Sequence, residues 1–192
     1  MNDVITALLV MIVSYSMGSI TGAYYVVKFF LKDDIRYMGS GNVGATNAGR
    51  ALGKKGFLLS LAIDACKVWV ALLFTNLLAG GSDVFLILSS LFVLLGHLFP
   101  LQLRFHGGKG VVAYLAAALF LEPIAILIMG ITMGVTYMVL RKYTLAGFIS
   151  MAAIPLTAWM TGDSFIVPAG LLLLLLIVFI SHTHFFSRQP QS

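Results

Sequence analysis

Seven apolar runs separated by short polar stretches set the pattern of this chain: about Val4 to Val27, Gly56 to Leu78, Val84 to Leu98, Val111 to Leu121, Ile124 to Leu140, Leu145 to Met160 and Phe165 to Ile180. Crossing the hydrocarbon core of a bilayer takes roughly 20 apolar residues as helix, so most of these runs predict transmembrane helices. Val111 to Leu121 falls short of that length and predicts a short or partly inserted helix reaching the far side near Glu122-Pro123. The first run opens on Asp3 rather than a basic cluster and lacks a convincing cleavage site, so it reads as a span and not as a signal peptide. The expected architecture is an all-α polytopic membrane protein of about seven transmembrane helices, some short. It forms a single domain over residues 1–192, with no separate soluble part. Gly18-x3-Gly22 in the first run predicts close helix packing.

A content of 60% hydrophobic and 10% charged residues, with mean hydropathy +1.01, excludes an ordinary soluble domain. Charge then orients the runs. Lys28, Lys32, Arg36, Arg50, Lys54, Lys55, Arg104, Lys109, Arg141, Lys142 and Arg188 fall on one side of the seven-run order, and Asp3, Asp83, Glu122 and Asp163 fall on the other. The positive-inside bias puts the N-terminus outside and the C-terminus in the cytoplasm, whereas a six-span order would leave a basic loop outside. This asymmetry accounts for the net charge of +5, and no basic-aromatic interleaving suggests nucleic acid. The single cysteine, Cys66, excludes an intramolecular disulfide and reads as a small buried hydrophobe.

The chain turns polar at Gly39-Ser40-Gly41-Asn42-Val43-Gly44-Ala45-Thr46-Asn47-Ala48-Gly49-Arg50. Glycines free the backbone to present bare N–H groups, and Ser40, Thr46, the asparagines and Arg50 add side-chain donors, which suits an anion. The same composition also suits a flexible connector. A P-loop is excluded, because no Lys-Ser/Thr pair follows the glycines and no strand precedes them. A second glycine-rich basic patch, Arg104-Phe105-His106-Gly107-Gly108-Lys109-Gly110, lies on the same side. Arg50 and Lys109 are the candidate anion clamps, while Lys28, Lys32 and Arg141 read as membrane-boundary residues. Asp64 and Lys67, three residues apart inside the second span, are spaced to pair with each other, either as structure or as part of a site. The four histidines have no companion ligands at metal spacing, so neither a metal nor another cofactor is expected. His97 reads as a structural histidine or as a substrate-positioning donor.

Taken together these segments resemble the bacterial acyl-phosphate:glycerol-3-phosphate acyltransferase family. The resemblance is carried by Gly39 to Asn47 with Arg50, by Gly96-His97-Leu98-Phe99-Pro100 followed by Phe105-His106-Gly107-Gly108-Lys109-Gly110-Val111, and more loosely by Arg141 to Gly147. It implies transfer of a fatty acyl group from acyl phosphate to the 1-hydroxyl of glycerol 3-phosphate, at the cytoplasmic face of a bacterial inner membrane. It further implies Ser40, Lys109 and His182 as catalytic residues, and Gly41, Asn42, Thr46, Asn47, Arg50, His97, Gly107 and Gly108 as substrate-binding ones. The expected partners are the two substrates and membrane lipid, with a monomer coupled to an acyl-phosphate-forming enzyme.

The C-terminus departs from the family pattern. The family reads His-x-x-Asn-Ile-x-Arg-Leu where this chain has His182-Thr183-His184-Phe185-Phe186-Ser187-Arg188-Gln189, with Phe185 in place of the asparagine. Two other readings compete with the enzyme: a transporter of a phosphate-bearing solute and a non-catalytic binder of lipid phosphate. The transporter is disfavoured by outer turns that are only short and acidic, by bare apolar runs such as Leu171 to Leu176 and by the absence of an internal repeat.

Overall fold

The first apolar run is not one continuous rod. In the computed structural model, which describes residues 2–162 and 164–186 and side chains as far as residue 183, it divides into two helices. These are α1 (Asp3–Ser19) and α2 (Gly22–Leu31), with Ile20 and Thr21 extended between them. The later helices are α3 (Ala45–Ala79), α4 (Asp83–Leu98), α5 (Val111–Leu121), α6 (Pro123–Leu140), α7 (Tyr143–Thr161) and α8 (Ile166–Phe186). Among the described residues, counting α1 and α2 together, 6 helical segments are long and apolar enough to cross a membrane, and α5 is a further, shorter one. The expected all-helical architecture with some short helices is therefore what forms. At 1.5 Å per residue the 11 residues of α5 rise about 16 Å, roughly half of a bilayer core. Pro123 then starts α6 at a position where its missing N–H costs no helical bond.

The second run also differs from its expected bounds. Its helix begins at Ala45, inside the glycine-rich stretch, and bends at Gly53, whose φ of 66° and ψ of −158° belong to a region reserved for glycine. The arm ahead of the bend folds back on the long part of α3, where a Cβ on Gly49 would lie 3.1 Å from the Phe57 Cβ and one on Gly56 would lie 2.5 Å from the Ala48 carbonyl oxygen. Thr46, Asn47 and Arg50 thus stand on a helix and not in a loop. Cys66 is a second correction: it is exposed on the outer face of α3, while Asp64 and Lys67 take the inward face.

Glycine lets the central helices approach backbone to backbone. The Cα of Gly18 faces the Val93 backbone on α4, Gly96 faces Tyr15 and Ser19 on α1, and Gly22 faces Ser60 on α3. Gly18-x3-Gly22 is indeed a packing motif, although its two glycines meet different helices. Several buried hydroxyls are satisfied inside the bundle: Ser14 and Ser89 bond each other across α1 and α4 at 2.8 Å, and Ser90, Thr75 and Ser150 donate to carbonyls one turn back, whereas the Thr21 and Ser60 hydroxyls have no partner among the described residues. The short α5 sits at the centre with Tyr114 buried, whereas only 6% of the α6 span is buried, so α6 lies on the outside of the bundle.

Gly96→Ala is expected to lower stability by about 1–3 kcal/mol, because the α1 backbone leaves no space for the methyl group. Gly130→Ala, with nothing within 4 Å, is expected to change it by no more than about 1 kcal/mol and in the stabilising direction. Thermal unfolding in detergent compares the two.

Candidate active site

A break in a membrane helix exposes backbone groups that lipid cannot satisfy. Here the end of α1 and the start of α2 are met by one side-chain pair from α3. Lys67 Nζ donates to the carbonyls of Gly18 at 2.9 Å and Ile20 at 2.6 Å, while the N–H of Gly22 donates to Asp64 Oδ1 at 3.1 Å. The cation faces the C-terminus of α1 and the anion faces the N-terminus of α2, each at the favourable end of a helix dipole. Asp64 and Lys67 pair at 2.8 Å, and Lys67 also reaches His97 Nδ1 at 2.9 Å, the imidazole accepting because an ammonium has only donors.

His97 carries the network to the second glycine-rich patch. Beyond Pro100 the chain makes a 3-10 turn, Leu101–Leu103, and then Arg104 and Phe105 take left-handed backbone at φ 53° and 62°. This costly reversal is closed by backbone bonds: Phe105 N–H to the Pro100 carbonyl, Gly107 N–H to Leu98 and Gly108 N–H to His97. Gly107 packs on the His97 and Leu98 carbonyls and Gly108 on the His97 ring at Nε2, where no Cβ would fit. The two patches then meet, since Val43 N–H donates to the Gly107 carbonyl at 3.4 Å and Arg36 Nη1 to the Leu103 carbonyl at 3.1 Å. Arg36 also forks onto Asp34, with hydrogen bonds that hold the Asp34 carboxyl below its usual range and raise Arg36 in turn. Tyr15 and Gln102 tie the turn to α1 through the Phe99 and Ser19 carbonyls.

The expected site residues divide into those that hold the loops and those that face outward. Asn47 is buried; its Oδ1 accepts from the Ser40 N–H, and its Nδ2 donates to the carbonyls of Met38, Asn42 and Ile35. Asn47 and His97 thus bond protein groups, which for His97 is the structural one of the two roles open to it in the sequence. Ser40 is half-buried between Gly39 and Gly41, both of positive φ, and Thr46 and Arg50 are exposed. Asn42 Oδ1 is buried without a hydrogen-bond partner among the described residues. Lys109 is half-buried, and that burial, followed by the charge of Arg50, pulls its ammonium below the ordinary lysine range. His182, at the end of α8, lies within electrostatic reach of Lys109 and stands edge-on to Phe148 at 5.1 Å. Asp163, Ser187, Arg188 and the side chains of His184 and Phe185 lie outside the described residues.

The two glycine-rich segments lead into two helix starts. Both α3 and α5 begin at a glycine, Gly44 and Gly110, with no side-chain cap, so their positive ends join Arg50 and Lys109 in favouring negative charge. Phe148 and Arg36 were not legible as site-forming. Phe148 is one aromatic among many in apolar runs, and Arg36 looks like any basic residue at a membrane boundary.

Fold and site together define an integral membrane protein, crossing several times, in which two joined glycine-rich segments bring Arg50 and Lys109 within electrostatic reach of each other. The family model for glycerol-3-phosphate acyltransferase matches residues 8–189, and this chain belongs to that family. A relative from Desulfitobacterium hafniense (strain Y51), glycerol-3-phosphate acyltransferase 1, is 38% identical over 175 residues, covering 88% of this chain and 83% of that one. Another from Anaeromyxobacter sp. (strain Fw109-5) is 40% identical over 140 residues, covering 71% and 69%. The crystal structure of PlsY, an integral membrane glycerol 3-phosphate acyltransferase, in its glycerol 3-phosphate form superposes with a TM-score of 0.82 at 30% identity, covering 95% of this chain and 90% of that one. Its lysophosphatidic acid form gives 0.81.

A lysine clamps an anion only while protonated, so with Lys109 in that role the alkaline limb of kcat/KM is expected to lie below the range of an unperturbed lysine. Arg50→Gln removes a neighbouring positive charge and should move that limb to higher pH even as activity falls. Initial rates measured across pH decide it; a limb that Arg50→Gln leaves in place assigns the titration to another group.

Proposed function

We propose that this chain transfers a fatty acyl group from acyl phosphate to the 1-hydroxyl of sn-glycerol 3-phosphate, giving lysophosphatidic acid and phosphate. The observation that carries this reading is the convergence of Arg50, Lys109 and His182 on two joined glycine-rich segments, in a chain of the glycerol-3-phosphate acyltransferase family. Both substrates are anionic, so the site must first bring like charges together. Arg50 and Lys109 neutralise phosphate, helped by the hydroxyls of Ser40 and Thr46, while Gly107 and Gly108, whose N–H groups bond the Leu98 and His97 carbonyls, hold the loop that carries Lys109. Gly41 keeps the loop backbone open to the ligand. Asn42 Oδ1 accepts from an acceptor hydroxyl, and His182 steadies the second phosphate. Asn47 and His97 act one step back, by holding the loops that carry these groups.

Acyl phosphate is a mixed anhydride and is already activated. The acceptor oxygen forms a bond to the carbonyl carbon, the bond from that carbon to the phosphate oxygen breaks, and the donor's phosphate takes the hydroxyl proton as it leaves. The protein supplies position and charge stabilisation rather than a nucleophile. The acyl chain lies between helices, open to lipid, and the pocket faces the bacterial cytoplasm, as the lysine and arginine asymmetry supports. The enzyme works as a monomer and draws its donor from an acyl-phosphate-forming enzyme.

Reconstituted protein given palmitoyl phosphate and glycerol 3-phosphate is expected to release phosphate and lysophosphatidic acid in equal amounts. Lys109→Ala should lower kcat/KM by about 10²–10³-fold, as for removal of a group that stabilises transition-state charge. Phosphate release without lysophosphatidic acid would mean hydrolysis only. In that case Phe185→Asn, which restores the family's residue, tests whether the acceptor subsite was lost.

A further inference from the structure

The acyl-transfer chemistry has no direct use for Asp64, Lys67 and His97, three ionisable side chains 1–5% exposed in the middle of an apolar bundle. Burying them is costly, and the helix break explains only two. The ammonium of Lys67 has three N–H groups, and the Gly18 and Ile20 carbonyls with the Asp64 carboxylate already match them. His97 Nδ1 is a fourth acceptor at 2.9 Å, sharing the same ammonium through a bifurcated bond and lying 3.6 Å from Asp64 Oδ1, a contact the break itself does not require. What the imidazole does touch is the anion loop. Gly108 rests on its Nε2 edge and donates to its carbonyl at 3.1 Å, Gly107 donates to Leu98 beside it at 3.1 Å, and Lys109 is the next residue.

We propose that Asp64, Lys67 and His97 form a positioning group for phosphate: the α3 ion pair fixes the orientation of the His97 ring, and the ring sets the height of Gly107-Gly108-Lys109 in the pocket. The ligand chemistry is that of a phosphate monoester or acyl phosphate, and only its naming rests on the acyltransferase reading. The group makes no contact with substrate. Its effect is on the placement of the loop, where displacements below an ångström matter.

The variant His97→Asn separates this role from simple stabilisation, because an asparagine amide can still accept from Lys67 at the place of Nδ1 but supplies no ring beneath Gly108. The full chain, purified in detergent and in lipid, is titrated with inorganic phosphate using protection against heat unfolding, a readout that needs no turnover. Phosphate is expected to bind about tenfold or more weakly in His97→Asn, with the ligand-free unfolding midpoint close to the parent and KM for glycerol 3-phosphate raised in step. Gly108→Ala should weaken phosphate binding by pressing on the ring, and adding His97→Asn should recover part of that loss. Unchanged phosphate affinity in His97→Asn, or losses in the double variant that simply multiply, overturns the proposal. So does a lowered midpoint with phosphate affinity intact, which marks the cluster as a structural clamp alone. A parent that binds phosphate yet makes no lysophosphatidic acid overturns the acyl-transfer reading instead and leaves the phosphate comparison in force.

Discussion

The ammonium of Lys67 is the interaction on which the rest of the architecture turns. Without it α1 could not stop at Ser19 and α2 restart at Gly22 inside the bundle, because the Gly18 and Ile20 carbonyls would face lipid or apolar side chains with nothing to bond. The carboxylate of Asp64 makes that cation tolerable and at the same time serves the other side of the break. One ion pair therefore solves two problems, its own burial and the interruption of a helix, and the break in turn lets Gly18 and Gly22 lie against different neighbours.

From the break outward the structure is a relay of backbone contacts. Gly96 lets α4 lie against α1, which brings His97 to Lys67, and the carbonyls of His97 and Leu98 take the N–H groups of the anion loop. The reversal through Arg104 and Phe105 is strained, yet several backbone bonds over-determine it. The first loop is held differently, by the single carboxamide of Asn47 gathering Met38, Asn42, Ile35 and Ser40. Rigid loops on a rigid bundle suit chemistry in which two anions must be placed rather than activated.

Much of this was legible in the chain, for physical reasons. Apolar runs as long as the bilayer is thick can hardly be anything but helices, so the all-helical architecture and the order of its apolar segments followed from length and hydropathy. Arg50 and Lys109 stood out because a cation among glycines has few other uses. The break at Ile20 and Thr21 was not legible, since neither residue is a helix breaker and the cause lies some forty positions away on α3. The helical start at Ala45 was hidden by glycines that suggest a loop until Gly53 is seen to take the bend alone. Cys66 was misplaced because an apolar run in a membrane has no polar face to reveal its outward side. The dual commitment of Asn47 and His97, polar residues in a glycine-rich context that serve the fold first, depends on which atoms meet, and spacing does not carry that.

The peripheral place of α6 sets how freely different parts of this sequence can drift. Its one buried residue is Ala125, and Gly130 and Gly134 have open space around them, so most of the helix answers only to the solvent demands of lipid tails. Many apolar sequences of the same length satisfy those demands equally. Gly18, Gly96, Gly107 and Gly108 answer instead to shape at the scale of a single methyl group. Descent should therefore erase the record of α6 fastest and preserve it longest around the α1 and α4 crossing and the anion loop.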